Sequence, residues 1–214
     1  MTIPVDYTTL QTEVANWLAR PGVDVTTFIR LAEVEMEKKL RVREMICRAS
    51  TLINEEYEQL PASFLDLIDV TLINTDAVSG NVTKARLEYM TQYQGTPDTL
   101  MSITANGTQP CFYSIIGEQI HFFPPPPDTD SPYSVELHYF GRFDYLADAV
   151  GGVNSILTRY PTIYLYGSLL YAAPFYGAGH RKAEWAEQFY GEIEQANSQY
   201  EEASYGTMSI SMAS

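Results

Sequence analysis

The chain has 214 residues, enough for one large domain or two small ones around a buried core. Its 45% hydrophobic and 19% charged residues are the balance of a folded soluble protein rather than a disordered one. A formal net charge of −14 excludes general coating of nucleic acid, and two cysteines, Cys47 and Cys111, make no disulfide framework.

The first residues lack the basic and apolar regions of a secretory signal, so synthesis in a reducing cytosol is expected. Leu10, Val14, Trp17 and Leu18 share one helix face, with Thr8 and Gln11 spaced as a capping box and Arg20-Pro21-Gly22 as the stop. Asp24 or Thr26 can cap a second helix. Its apolar stripe reads Phe28, Leu31, Ala32, Met36 and Leu40, and its end falls between Arg43 and Ile46.

From Cys47 to Arg142 the pattern changes to β-branched and aromatic residues broken by turn signals. The spacing predicts a hairpin of Thr51–Ile53 with Tyr57–Leu60, a strand over Leu67–Ile73, and a loop from Asn74 to Asn81. A strand through Ala85–Glu88 then leads to a short helix near Tyr89–Gln94. The motifs at Asn81 and Asn106 read as turns rather than glycosylation sites. Phe112–Ile116 and Ile120–Phe123 flank Gly117-Glu118-Gln119 as the clearest hairpin, ended by the run Pro124–Pro127. Tyr133, Val135, Leu137 and Tyr139 alternate along a last strand.

Helical spacing returns after Gly151-Gly152. Pro161 suits a first turn, Tyr160, Tyr164, Ser168 and Tyr171 form a stripe, and Gly167 and Ser168 allow close approach of a neighbour. Ile163–Tyr176 is the longest apolar run, but Gly167, Ser168 and Pro174 interrupt it, and it falls short of the roughly 20 residues that span a bilayer. Trp185, Phe189, Ile193 and Ala196 line the final helix, which runs to about Tyr200 or Ala203. The expected fold class is α+β: a discontinuous helical bundle, residues 1–46 plus 143–204, an inserted small antiparallel β-domain, 47–142, and an extended C-terminal tail, 205–214. In that tail Tyr205 precedes Met208, Ile210 and Met212 at alternating positions, which suits either a segment that adds to another protein's surface or a frayed terminus.

Chemistry-bearing residues are present without a strong motif. Glu55-Glu56, Asp66 with Asp69, and Asp128 with Asp130 are paired acids that read as solvated charge. Glu136, His138 and His121 are conceivable metal ligands but match no ligand spacing, so no metal or other cofactor is expected. Cys47, among Arg43, Glu44 and Arg48, lacks a nearby histidine and reads as a structural thiol. Gly177-Ala178-Gly179 reads as a turn and Pro124-x-x-Pro127 as a rigid connector.

Charge is segregated. Residues 20 to 48 carry seven basic and five acidic groups, a net +2, which leaves −16 for the rest. This segment is either a solvated helix face, with pairs such as Glu33–Glu37–Arg41, or one half of a complementary contact with an acidic surface. In the second case Arg30, Lys38, Arg41 and Arg43 are the subunit-contact residues, suited to a head-to-tail ring.

Several pieces in order carry a resemblance. They are Tyr7-x-x-Leu10-x-x-x-Val14-Ala15-x-Trp17-Leu18, then Phe28-Ile29-x-Leu31-Ala32-Glu33, and Leu40-Arg41-Val42-Arg43-Glu44-Met45. Tyr57-x-x-Leu60-Pro61-x-x-Phe64-Leu65-x-Leu67 and Leu87-Glu88-Tyr89-Met90 follow. Arg159-Tyr160-Pro161-x-x-Tyr164-Leu165-Tyr166-Gly167-Ser168-Leu169-Leu170-x-Ala172-Ala173 and the helix with Trp185 close the series. Together they resemble the adaptor, or head–tail connector, proteins of tailed bacteriophages, over Tyr7 to about Tyr200. The resemblance implies a structural virion protein with no enzymatic activity, made in the host bacterial cytoplasm and placed at the neck between capsid and tail. It implies a ring of copies of itself, usually twelve, beneath the portal protein. That ring extends the channel for double-stranded DNA without sequence-specific binding, and it docks tail, nozzle or fibre proteins. It further implies that the tail, with Tyr205, Met208, Ile210 and Met212, reaches the portal. The alternatives are a carbohydrate-binding or fibre-associated module, given sixteen tyrosines, and an acidic hydrolase using Asp66 or Glu136.

Overall fold

The computed structural model describes residues 3–75, 80–91, 109–128 and 131–205. They divide into two compact units, one drawn from Met1–Met45 and Arg142–Ser214, the other from Ile46–Gly141. The class is α+β, with five α-helices and two four-stranded sheets among the described residues. No helix among them is long and apolar enough to cross a membrane.

The first unit is helical: α1 (Tyr7–Trp17), α2 (Thr26–Lys39), α3 (Ser155–Arg159), α4 (Pro161–Ala172) and α5 (Lys182–Tyr205). The cap of α1 is not Thr8 but Asp6. Its carboxylate accepts the Thr9 N–H at 2.8 Å, while the Thr9 hydroxyl oxygen accepts the Asp6 N–H at 3.0 Å. Helix α2 ends at Lys39, short of the expected Arg43–Ile46. The side chain of Asn197 draws the chain out of the helix there: its amide donates to Lys39 O and its carbonyl accepts the Arg41 N–H. Helix α2 is also rotated relative to the expected stripe. Ile29, Ala32, Glu33 and Met36 are buried, while Leu31 is exposed and Phe28 half-buried.

Helix α4 begins at Pro161, is apolar all round, and packs between α2 and α5. Gly167 sits at the tightest point. A Cβ there would lie 2.7 Å from the Phe189 ring and 3.0 Å from the Ala32 methyl, so only glycine lets both neighbours close. Helix α5 buries Trp185, Phe189, Ile193 and Ala196 as its spacing predicts.

The second unit holds β1 (Ile46–Leu52), β2 (Tyr57–Gln59), β3 (Phe64–Thr75), β4 (Val82–Arg86), β5 (Glu88–Tyr89), β6 (Phe112–Ile116), β7 (Gln119–Phe123) and β8 (Tyr133–Gly141). One sheet has the order β1-β8-β3-β4 and the other β2-β7-β6-β5; pairing is antiparallel except between β5 and β6. Tyr133, Val135, Leu137 and Tyr139 of β8 join Val70 and Leu72 of β3 and Ile120 and Phe122 of β7 in one core. The β6–β7 hairpin is present, with Gly117 at φ +62° in the first central turn position. The expected hairpin of Thr51–Ile53 with Tyr57–Leu60 is not formed. β1 pairs with β8 and β2 with β7, because Ile53 is buried where the chain passes from one sheet to the other. The expected loop from Asn74 is shorter, since Asn74 and Thr75 pair with Thr83 and Val82. Tyr89 begins no helix; it pairs in β5 with Tyr113, and residues 92–94 lie outside the described set.

Candidate functional site

Helix α2 places an acid inside an apolar stripe. Glu33 lies one turn from both Ile29 and Met36 and is 1% exposed. Its carboxylate accepts the Leu146 N–H at 2.7 Å, with the Tyr164 hydroxyl at 3.5 Å and the Arg30 guanidinium at 3.9 Å. Burial pushes its pKa up to about 7, while the Leu146 N–H and Arg30 pull the other way. Burial also holds the Tyr164 hydroxyl well above its ordinary range, and the neighbouring Glu33 adds to this. Asn154 extends the chain of bonds. Its amide donates to Asp144 O and to the Tyr164 hydroxyl, each at 2.7 Å, and its carbonyl caps α3 by accepting the Leu157 N–H. The network ties the connection from Asp144 to Leu157 onto α2 and α4. Both a solvated face and a complementary contact, the two expectations for this segment, would leave Glu33 at the surface; the structure buries it, and the acid within the apolar stripe is the signal the sequence offers.

The four predicted contact cations are not equivalent. Arg30 lies 3.2 Å above the Tyr145 ring and 3.6 Å from the Asp148 carboxylate. Arg41 donates to the carbonyls of Glu37 and Leu40 and closes the end of α2. Lys38 is exposed and pairs with Glu35 at 3.3 Å, and Arg43 is exposed at the start of a short 3-10 turn, Arg43–Met45. Lys38, Arg41 and Arg43 thus gather at the C-terminal end of α2, two turns or more from Arg30. Of the predicted tail residues, Tyr205 is the last residue of α5, and Met208, Ile210 and Met212 lie outside the described residues.

In the β-rich unit the conceivable metal ligands are not assembled. Glu136 and His138 share a face of β8, with His138 Nε2 3.4 Å from the Glu136 carboxylate, but Arg48 at 2.8 Å and Lys84 at 3.6 Å occupy that carboxylate. These cations, led by Arg48, hold the Glu136 pKa below its ordinary value. His121 is on β7 in the other sheet, not beside β8. No cluster of three or more metal-ligating side chains occurs among the described residues. His121 instead bonds to the Ser114 hydroxyl at 3.3 Å and to Glu56 at 2.8 Å, with Tyr57 stacked on its ring at 4.6 Å. The order hydroxyl–imidazole–carboxylate is that of a nucleophilic triad, but Ser114 is 3% exposed and closed off from a substrate. The chain of bonds pins β6, β7 and the start of β2 together. Asp69 is held by Arg86 at 2.6 Å, Asp66 accepts the Leu67 N–H, and Cys47 packs half-buried against Gly141.

The charge of this unit has one further property. Ile46–Gly141 contains three basic residues against twelve acidic ones, a net −9. All three are engaged: Arg48 and Lys84 on Glu136, and Arg86 on Asp69.

Comparison with known proteins gives one family. The model of the family described as SU10 adaptor protein matches residues 5–211. No curated protein matches the chain.

Proposed function

The chain belongs to the SU10 adaptor protein family, and from that premise we propose that it is a ring-forming structural protein of a tailed-phage virion. It joins portal to tail at the neck, and its mechanism is assembly rather than turnover. Copies of the chain, twelve in the full ring, surround a channel continuous with that of the portal. The tail with Met208, Ile210 and Met212 reaches the portal, and the opposite end of the ring docks tail, nozzle or fibre proteins.

The family match across nearly the whole chain carries this reading. The charge distribution supports it physically. A conduit for duplex DNA works best when its wall repels phosphate, and a protein that neutralises phosphates would retain the DNA. With every cation of Ile46–Gly141 already paired, this unit offers DNA an unneutralised acidic surface. We assign the channel wall to this unit.

Deleting the gene from the phage tests the proposal. Heads filled with DNA but lacking tails are expected by electron microscopy, with tails restored by the chain supplied in trans. Normal tailed particles from the deletion would refute it.

A further inference from the structure

Two helix faces in the helical unit turn away from its core, one apolar with cations at its C-terminal end and the other lined by acids. On α2, the line opposite the buried Ile29, Ala32 and Met36 runs through Thr27, Leu31, Val34 and Lys38. Leu31 is 43% exposed, Lys38 is exposed, and Arg43 follows just beyond the helix. On α5, the line opposite Trp185, Phe189, Ile193 and Ala196 runs through Glu184, Glu187, Gly191, Glu194, Ser198 and Glu201. These are spaced alternately three and four residues apart and all are exposed. Arg181 holds Glu184 at 3.2 Å. Among the described residues, Glu187, Glu194 and Glu201 take part in no ion pair.

Gly191 sets this face apart. Glycine weakens a helix interior, so its presence there calls for a reason. At Gly167 the reason is internal, because the Phe189 ring and the Ala32 methyl leave no room for a Cβ. At Gly191 a Cβ would meet nothing within 4 Å, and its φ is not in the left-handed region. Among the described residues nothing requires glycine at this position. A bare backbone between two unpaired glutamates suits close approach by a helix from outside.

We infer that the outer face of α5, centred on Gly191, receives the outer face of α2 from a second copy of the chain. Leu31 and Val34 pack over Gly191, and Lys38 and Arg43 meet the unpaired glutamates. The α2 line from Thr27 to Lys38 covers about 16 Å of helix and fits within the roughly 26 Å that the α5 line covers from Glu184 to Glu201. The two faces match in charge, and they differ from each other, so the contact is head-to-tail and repeats from copy to copy. This inference rests on the ring reading above and names the surfaces that build it.

The test measures ring formation by mass photometry for the native chain mixed with its portal protein, and for three variants. Gly191→Trp keeps native helicity and melting temperature, because the position is open, but loses the ring at least about tenfold. Glu194→Lys with Glu201→Lys loses it similarly, and adding Lys38→Glu with Arg43→Glu to the same chain restores it. A folded Gly191→Trp that still forms rings, or a fourfold charge exchange that restores nothing, overturns the α2–α5 contact and leaves the ring reading standing. No ring from the native chain overturns both.

Discussion

Replacing Glu33 by glutamine isolates the energetic cost of its buried carboxyl. The pKa rises from an ordinary 4.5 to about 7 in the fold. A group whose folded pKa is raised favours the native state when protonated. Its contribution is therefore complete below pH 4.5, declines across pH 4.5 to 7, and is gone above pH 7. At roughly 1.4 kcal/mol per unit, the native chain loses about 3 kcal/mol over that window from this group alone. Glutamine still offers an oxygen to the Leu146 N–H and does not titrate, and Arg30 keeps Asp148 and the Tyr145 ring as partners. The expected outcome is that Glu33→Gln gains about 3 kcal/mol relative to the native chain between pH 4.5 and pH 7.5. Urea unfolding followed by tryptophan fluorescence reads it, because Trp17 and Trp185 both belong to the helical unit. A difference that does not change with pH, or a variant that loses stability relative to the native chain as pH rises, would refute the reasoning.

Gly167→Ala places a methyl 2.7 Å from the Phe189 ring, and overpacking outweighs the gain in helix propensity; a loss of about 1–3 kcal/mol is expected in the same unfolding assay. Asn154→Ala removes the cap of α3 and leaves the Tyr164 hydroxyl and Asp144 carbonyl short of a donor, at a cost of about 1–3 kcal/mol. Ile46–Gly141 should fold when produced alone, because Ile46 pairs with Phe140 and so brings its ends together. Dispersed amide signals by NMR would show this. The same fragment should show no shift in fluorescence anisotropy with duplex DNA even at low salt, and micromolar binding would contradict an acidic channel wall.

Much of the helical unit was legible in its spacing. Trp185, Phe189, Ile193 and Ala196 repeat with the helix period, and Pro161 marks a first turn, because these signals are local. The register of α2 was not. Glu33 looked solvent-facing, and what allows its burial is the N–H of Leu146, 113 residues further along. The expected hairpin of Thr51–Ile53 with Tyr57–Leu60 fails for the same reason. Thr51 and Tyr57 lie close in sequence as a hairpin would, yet their partners Val135 and His121 come from far down the chain. The cap at Asp6 is masked in the sequence because Thr8 offers a competing oxygen two residues on. Of the candidate contact cations, Arg30, Lys38 and Arg43 are all exposed, and only neighbours in space show that Arg30 engages Tyr145 and Asp148 while Lys38 pairs with Glu35. The acidic line on α5 was present in the sequence as Glu187, Glu194 and Glu201 seven residues apart; it becomes a face only once Trp185 and Phe189 are known to point inward.

Assembly of copies around a hole, as proposed, changes the mass of the particle by whole chains. Mass photometry of the purified 24.1 kDa chain, alone and with the portal protein of the same phage, tests it most directly. A portal-bound species heavier than the portal alone by about twelve chains, and weakened by added salt, is expected. A chain that stays monomeric and leaves the mass of the portal unchanged would contradict it.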